Sequence, residues 1–150
     1  MTAGTCSNIK DGRMQGMPWI TPAFSVKDTK KAIEFYEKAF GFKLVFKMDG
    51  PDGMPQHVHM QQECSGVVMF GLEGAGGCAV RTPANSKVAS PVSLYVYCRD
   101  VDELYLKAQR AGAQVVKVPE DAFWGDRMCV LRDPDGYDWC FATNLGKCMN

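Results

Sequence analysis

The sequence predicts an α+β fold in which two βαβββ modules form a half-open curved sheet. Three observations predict it. Most apolar runs alternate with the period of a strand, one helical run opens each half of the chain, and the same order of elements occurs twice.

Residues 1–17 are polar, carry Gly and show no periodicity, which predicts a mobile tail. Residues 19–26 read as a strand with Ile20, Phe24 and Val26 on one face and Thr21, Ala23 and Ser25 on the other; Pro22 sits near its start. Asp28 or Thr29 is a helix cap, and Ala32, Ile33, Phe35, Tyr36, Ala39 and Phe40 recur at helical spacing until Gly41 ends the run. Strands are expected at 43–48, 56–61 and 66–72, with Asp49-Gly50-Pro51-Asp52-Gly53 as a loop between the first two. This gives a first module at 18–73. Residues 74–90 hold Gly74, Gly76, Gly77, Pro83, Asn85 and Ser86 with little hydrophobic pattern, the composition of a linker.

The second module, 91–145, repeats the order within a single domain at 18–145. A strand at 91–98 sets Val92, Leu94 and Val96 against Ser93, Tyr95 and Tyr97, and Asp100 opens a helix that Gly112 stops. A strand at 114–118 and a loop at 119–124 lead into a hairpin, strands 127–132 and 137–142 around Asp133-Pro134-Asp135-Gly136. Its returning strand puts bulky Tyr137, Trp139 and Phe141 on one face and Asp138, Cys140 and Ala142 on the other. A bulky face suits packing under helices, and a small face suits the floor of a cavity. Val26-Lys27-Asp28 aligns with Cys98-Arg99-Asp100, and Gly41 with Gly112 one residue short of the same offset, the mark of a duplication.

Composition narrows the function. Lys plus Arg and Asp plus Glu number 17 each in 150 residues, so neither nucleic acid nor an anionic membrane is indicated as partner. Seven cysteines form an odd set without a CxxC pair, which points to reduced thiols and a cytoplasmic location. No apolar run spans a bilayer, and the N-terminus lacks a signal-peptide core.

Several short motifs occur together in a fixed order: Thr-Pro-Ala-Phe-Ser-Val at 21–26, Ala32-Ile33-Glu34-Phe35-Tyr36 with Ala39-Phe40-Gly41, Pro51-Asp52-Gly53 before His57, and Val67-Val68-Met69. Ser93-Leu94-Tyr95-Val96, Trp124-Gly125-Asp126-Arg127 and Asp133-Pro134-Asp135-Gly136 continue the series. It resembles the vicinal oxygen chelate superfamily, the glyoxalase and bleomycin-resistance fold, and within it the PhnB-like branch. The resemblance implies paired modules curling into halves of an open barrel, helices outside, ligand in the concave space, and a homodimer whose partner completes the cavity. Val67 and Met69 are then expected under the helices, and Val68, Phe70, Ser93, Tyr95, Cys140 and Ala142 on the concave face. Metal-using members carry ligands at positions that fall here on Thr21, Phe70, Ser93 and Cys140, a set unsuited to a divalent ion. No metal and no cofactor are therefore expected. The resemblance then implies a metal-free protein that sequesters an aromatic or antibiotic-like small molecule, with no catalytic residue assigned. The alternative is a glyoxalase- or dioxygenase-type enzyme whose displaced metal uses His57 or His59.

Seven side chains complete the expected site. His57 and His59, two apart on one strand face, either begin a metal site or are polar residues at a rim or dimer contact. Trp124 is either an aromatic platform or a cover for the hairpin. Arg127 is either a cation for a flat or anionic ligand or the partner of Asp126 or Asp133. Tyr95 and Phe70 are expected as further aromatic walls, and Cys140 as a small filler rather than a nucleophile.

Overall fold

The computed structural model describes residues 12–63 and 66–146. Of the expected tail, residues 1–11 lie outside the described residues; just beyond them the Met17 N–H closes a turn onto the Met14 carbonyl at 3.0 Å. The first module comprises β1 (Ala23–Val26), α1 (Thr29–Phe35) continued by a π-helical turn (Tyr36–Phe40), β2 (Lys43–Asp49), β3 (Pro55–Gln62) and β4 (Gly66–Leu72). After α2 (Pro83–Ser86) the second comprises β5 (Leu94–Tyr97), α3 (Val101–Arg110), β6 (Gln114–Asp121), β7 (Asp126–Arg132) and β8 (Asp138–Asn144). Asp28 and Asp100 cap their helices, accepting from the backbone N–H of Lys31 at 3.1 Å and of Glu103 at 2.9 Å.

Each module is one four-stranded sheet, ordered β1-β4-β3-β2 and β5-β8-β7-β6. In both, the first strand pairs parallel with the fourth and the remaining pairs are antiparallel. The fold is the predicted α+β duplication.

The helix-bearing faces of the two sheets share one core. Val26, Tyr36, Phe40, Val58, Met60 and Phe70 from the first module join Cys129, Leu131, Trp139 and Phe141 from the second. Trp139 lies 5.3 Å from both Tyr36 and Phe40, and Phe40 lies 4.7 Å from Phe141, ring centre to ring centre. At the heart of this core Asp133 accepts from the Tyr36 hydroxyl and the Trp139 indole N–H, both at 2.8 Å, and from the N–H groups of Asp135 and Tyr137. Burial holds its carboxyl above the ordinary range, while these donors pull the other way. The linker folds onto the same turn: the Ala84 N–H donates to the Asp135 carbonyl at 2.9 Å. Gly136 has φ +90°, and a Cβ there would come within 2.8 Å of the Ala84 nitrogen, so glycine is required twice over.

Four expectations are corrected. β1 starts at Ala23 rather than at residue 19, and Trp19 and Ile20 are exposed, because Pro18 and Pro22 interrupt the chain ahead of the ladder. β5 starts at Leu94 and leaves Val92 exposed, since Ser90 bonds locally to the Val92 backbone. β6 runs on to Asp121 by means of two register shifts, so only residues 122–125 form the loop. The parity of β4 is reversed: Val68 and Phe70 lie in the helix-side core, which leaves Val67 and Met69 for the open face. Pairing dictates this, because Phe70 stands opposite Val58 and Val68 opposite Met60, and residues opposite one another share a face.

Candidate functional site

Because both helix-bearing faces are consumed by the common core, the opposite faces of the sheets remain open. They carry exposed Phe46 and Met48 in the first module and Tyr95, Tyr97 and Trp124 in the second.

The open face of the second module is the more ordered. Tyr95 stands opposite Cys140 and Tyr97 opposite Ala142, so both rings lie over the small face of β8. Their hydroxyls reach across it to Asp126 at the start of β7, each donating to Oδ2 at 2.9 Å. Small side chains make this possible, because a bulky residue at Ala142 would fill the space the tyrosines cross. Gly125, at φ +95°, turns the chain so that the Trp124 indole N–H also reaches Asp126 Oδ2, at 3.2 Å, and the Tyr95 hydroxyl at 3.4 Å. Asn144 Nδ2 donates to Oδ1 at 2.8 Å. These donors, Asn144 first, hold the Asp126 carboxyl below its ordinary range, so it is ionised at neutral pH. Desolvation, together with the bond into Asp126, pushes the Tyr95 hydroxyl up to about 12. Beneath lies a small apolar floor of Met128, Cys140 and Ala142. Burial raises the Cys140 thiol to about 11, so it is a neutral filler at physiological pH.

A cavity of about 620 Å³ follows the free edge of β5, between the modules, with Ile20, Pro22, Gln62, Val67, Ser93 and Tyr95 among its walls. Ser93 thus lines this cavity.

Two expected members lie elsewhere. Phe70, only 2% exposed, stacks on Phe24 at 5.7 Å under the helices. Arg127 points to the helix side, since it alternates with inward Asp126 and Met128; it is clamped by both carboxylate oxygens of Asp102, at 2.7 and 3.0 Å, and by Asp121 at 3.0 Å. It is paired, but with neither Asp126 nor Asp133. Sequence reasoning missed Asp126 as the organising residue and passed over Tyr97. The available signal was the inward parity of Tyr95 and Tyr97, which calls for a hydrogen-bond partner on a neighbouring strand.

On the first module, His57 and His59 share the open face with Phe46 and Met48. Their Nε2 atoms are 2.7 Å apart, one donating to the other. Desolvation, then the neighbouring His57, lowers the His59 titration below the ordinary imidazole range. His59 Nδ1 is buried without a hydrogen-bond partner among the described residues. A metal-bound imidazole normally passes its second N–H to an acceptor, which this one lacks. Among the described residues no group of three His, Cys, Asp or Glu side chains is placed to hold a metal ion. The positions at which the resemblance places metal ligands fit no better: Thr21, Ser93 and Cys140 are weak neutral donors, Phe70 is in the core, and open-face Val67 and Met69 supply no hard ligand.

Residues 17–141 match the Glyoxalase/Bleomycin resistance protein/Dioxygenase superfamily. The chain belongs to that family. It is 34% identical over 124 residues to the uncharacterized protein Mb0911c of Mycobacterium bovis, covering 81% of this chain and 80% of that one. The fold is shared with TioX from Micromonospora sp. ML1, at TM-score 0.65 and 24% identity over 84% of this chain and 98% of the other. It is also shared with a bleomycin-binding protein solved in complex with bleomycin, at TM-score 0.61 and 24% identity over 85% and 99% of the two chains. Among the described residues no helix is long and apolar enough to cross a membrane.

Proposed function

We propose that this chain is a metal-free binding protein that sequesters a small, partly aromatic, antibiotic-like molecule, and that it works as a homodimer whose second copy covers the open face. Its motif series supports a place in the PhnB-like branch. The observation that carries the reading is the set Tyr95, Tyr97 and Trp124, locked over a floor of small side chains beside the cavity of about 620 Å³. Rings fixed in advance lose little freedom on contact with a ligand, which is how a preformed site gains affinity. A structural relative solved in complex with bleomycin supports ligand capture. The dimer is supported by the exposed rings and by the unpaired edges of β2 and β6.

A thermal-shift screen of natural products against the purified protein, repeated with Trp124→Ala, tests the reading. A ligand that raises the melting point of the native protein should bind the variant about tenfold more weakly. Equal shifts would return Trp124 to a cover for the hairpin. Light scattering at micromolar concentration should give twice the chain mass. Metal analysis should find no stoichiometric Zn, Ni, Fe or Mn; a near-unit content lost to EDTA with a fall in melting point would favour the enzyme reading.

A further inference from the structure

We propose that Tyr95, Tyr97 and Trp124 form an aromatic cage for an ammonium cation, with the buried Asp126 carboxylate as the charge behind it. This rests on reading the open face of the second module as a ligand wall, and adds the charge class of the ligand.

Four features converge. First, three rings donate their polar hydrogens into one carboxylate oxygen, so their remaining free surface is the π face. A ring whose hydroxyl or N–H leans on a carboxylate is richer in electrons, and the attraction of a cation to that face grows accordingly. Second, the rings are set at an angle: Tyr95 and Tyr97 have centres 5.5 Å apart and planes 65° apart, and the N–H edge of the Trp124 indole lies 3.4 Å from the Tyr95 hydroxyl. Third, Asp126 is only 2% exposed, and each described side chain that bonds it (Tyr95, Tyr97, Trp124 and Asn144) is neutral. Four donors keep this carboxylate ionised, so a cation on the rings meets a fixed negative charge behind them. Fourth, Arg127 faces α3 and is held by Asp102 and Asp121, while Lys117, the cation on the open face, is paired with Glu120 at 2.6 Å. The sign of the site is therefore the reverse of what a Trp124–Arg127 pair implies.

The rings are also open to a ligand. Tyr95, Tyr97 and Trp124 all retain a third or more of their surface, and the cavity along β5 is lined by Tyr95 and Tyr97. The ligand class is a quaternary or alkylated ammonium attached to an apolar or aromatic body.

The test compares benzyltrimethylammonium with its neutral isostere, neopentylbenzene, and with benzoate, followed by tryptophan fluorescence and by calorimetry on the full chain. The cation should bind saturably, about tenfold or more tighter than the isostere, with benzoate weakest. Asp126→Asn and Trp124→Leu should each weaken it about tenfold, Tyr97→Phe should weaken it less because the ring remains, and Arg127→Gln should leave it unchanged. The comparison of probes on the native protein needs no variant to fold. If the isostere binds as well as the cation, the cage is excluded while the ligand-wall reading stands. If neither binds at millimolar concentration, both fail. Unchanged cation binding in a folded Asp126→Asn protein removes the charge from the proposal and overturns it.

Discussion

At Asp133 one carboxylate joins the two modules through Tyr36 of the first and Trp139 of the second. Removing the Tyr36 hydroxyl leaves the ring in place but takes one donor from a buried acid. Tyr36→Phe should therefore lower stability by about 1–3 kcal/mol in urea unfolding, with little change in ligand binding. Its neighbour Asp135 behaves differently. It is nearly fully buried and accepts from the Lys27 N–H, and desolvation lifts its carboxyl to about 6. A carboxyl raised on folding contributes stability that is fully present below its unfolded value, about 4, and lost as pH rises through about 6. Asp135→Asn cannot titrate and keeps an acceptor for Lys27. The stability of the variant relative to the native protein should accordingly improve between pH 4 and pH 7, by up to about 3 kcal/mol. A difference that stays flat over that window would show that Asp135 is no burden when ionised.

At the scale of the element, β8 and β4 show what the sequence discloses. The alternation Tyr137, Trp139, Phe141 against Cys140, Ala142 was legible, because bulky and small residues take turns, and the structure divides them between the shared core and the floor. β4 reads Gly66-Val67-Val68-Met69-Phe70, a continuous apolar run with no alternation to orient it. Only the register with β3, which sets Gln62 opposite Gly66, orients it. The clue lay in Val58: once Val58 is assigned to the helix side, Phe70 opposite must follow. Asp126 escaped for a related reason, since its partners come from β5, the loop and β8, and no local spacing joins them. Two substitutions separate the strands' roles. Phe70→Leu should cost about 1–3 kcal/mol and leave ligand affinity unaltered, as befits a core residue. Ala142→Leu should cost about 1–3 kcal/mol, displace the tyrosines from Asp126, and shift Trp124 emission to the red while abolishing binding to the cage.

For the whole molecule, the fold was legible because duplication supplies it twice: each half repeats cap, helix, glycine stop and strands, and the sheet orders β1-β4-β3-β2 and β5-β8-β7-β6 mirror that repeat. How the halves meet was not legible, because it rests on aromatic contacts between residues far apart in the chain, such as Phe40 with Phe141. This meeting also sets an order of events during synthesis. The first module is complete in sequence at Leu72, yet Tyr36 and Phe40 find their largest neighbour only when Trp139 arrives. β5 likewise waits for β8 before it has a partner on its paired side. Until the last strand leaves the ribosome, the chain holds a bare aromatic surface that invites association with other nascent chains. A chain stalled before β8 is therefore a client for chaperones, and a premature stop near residue 135 is a sticky fragment, not a working half.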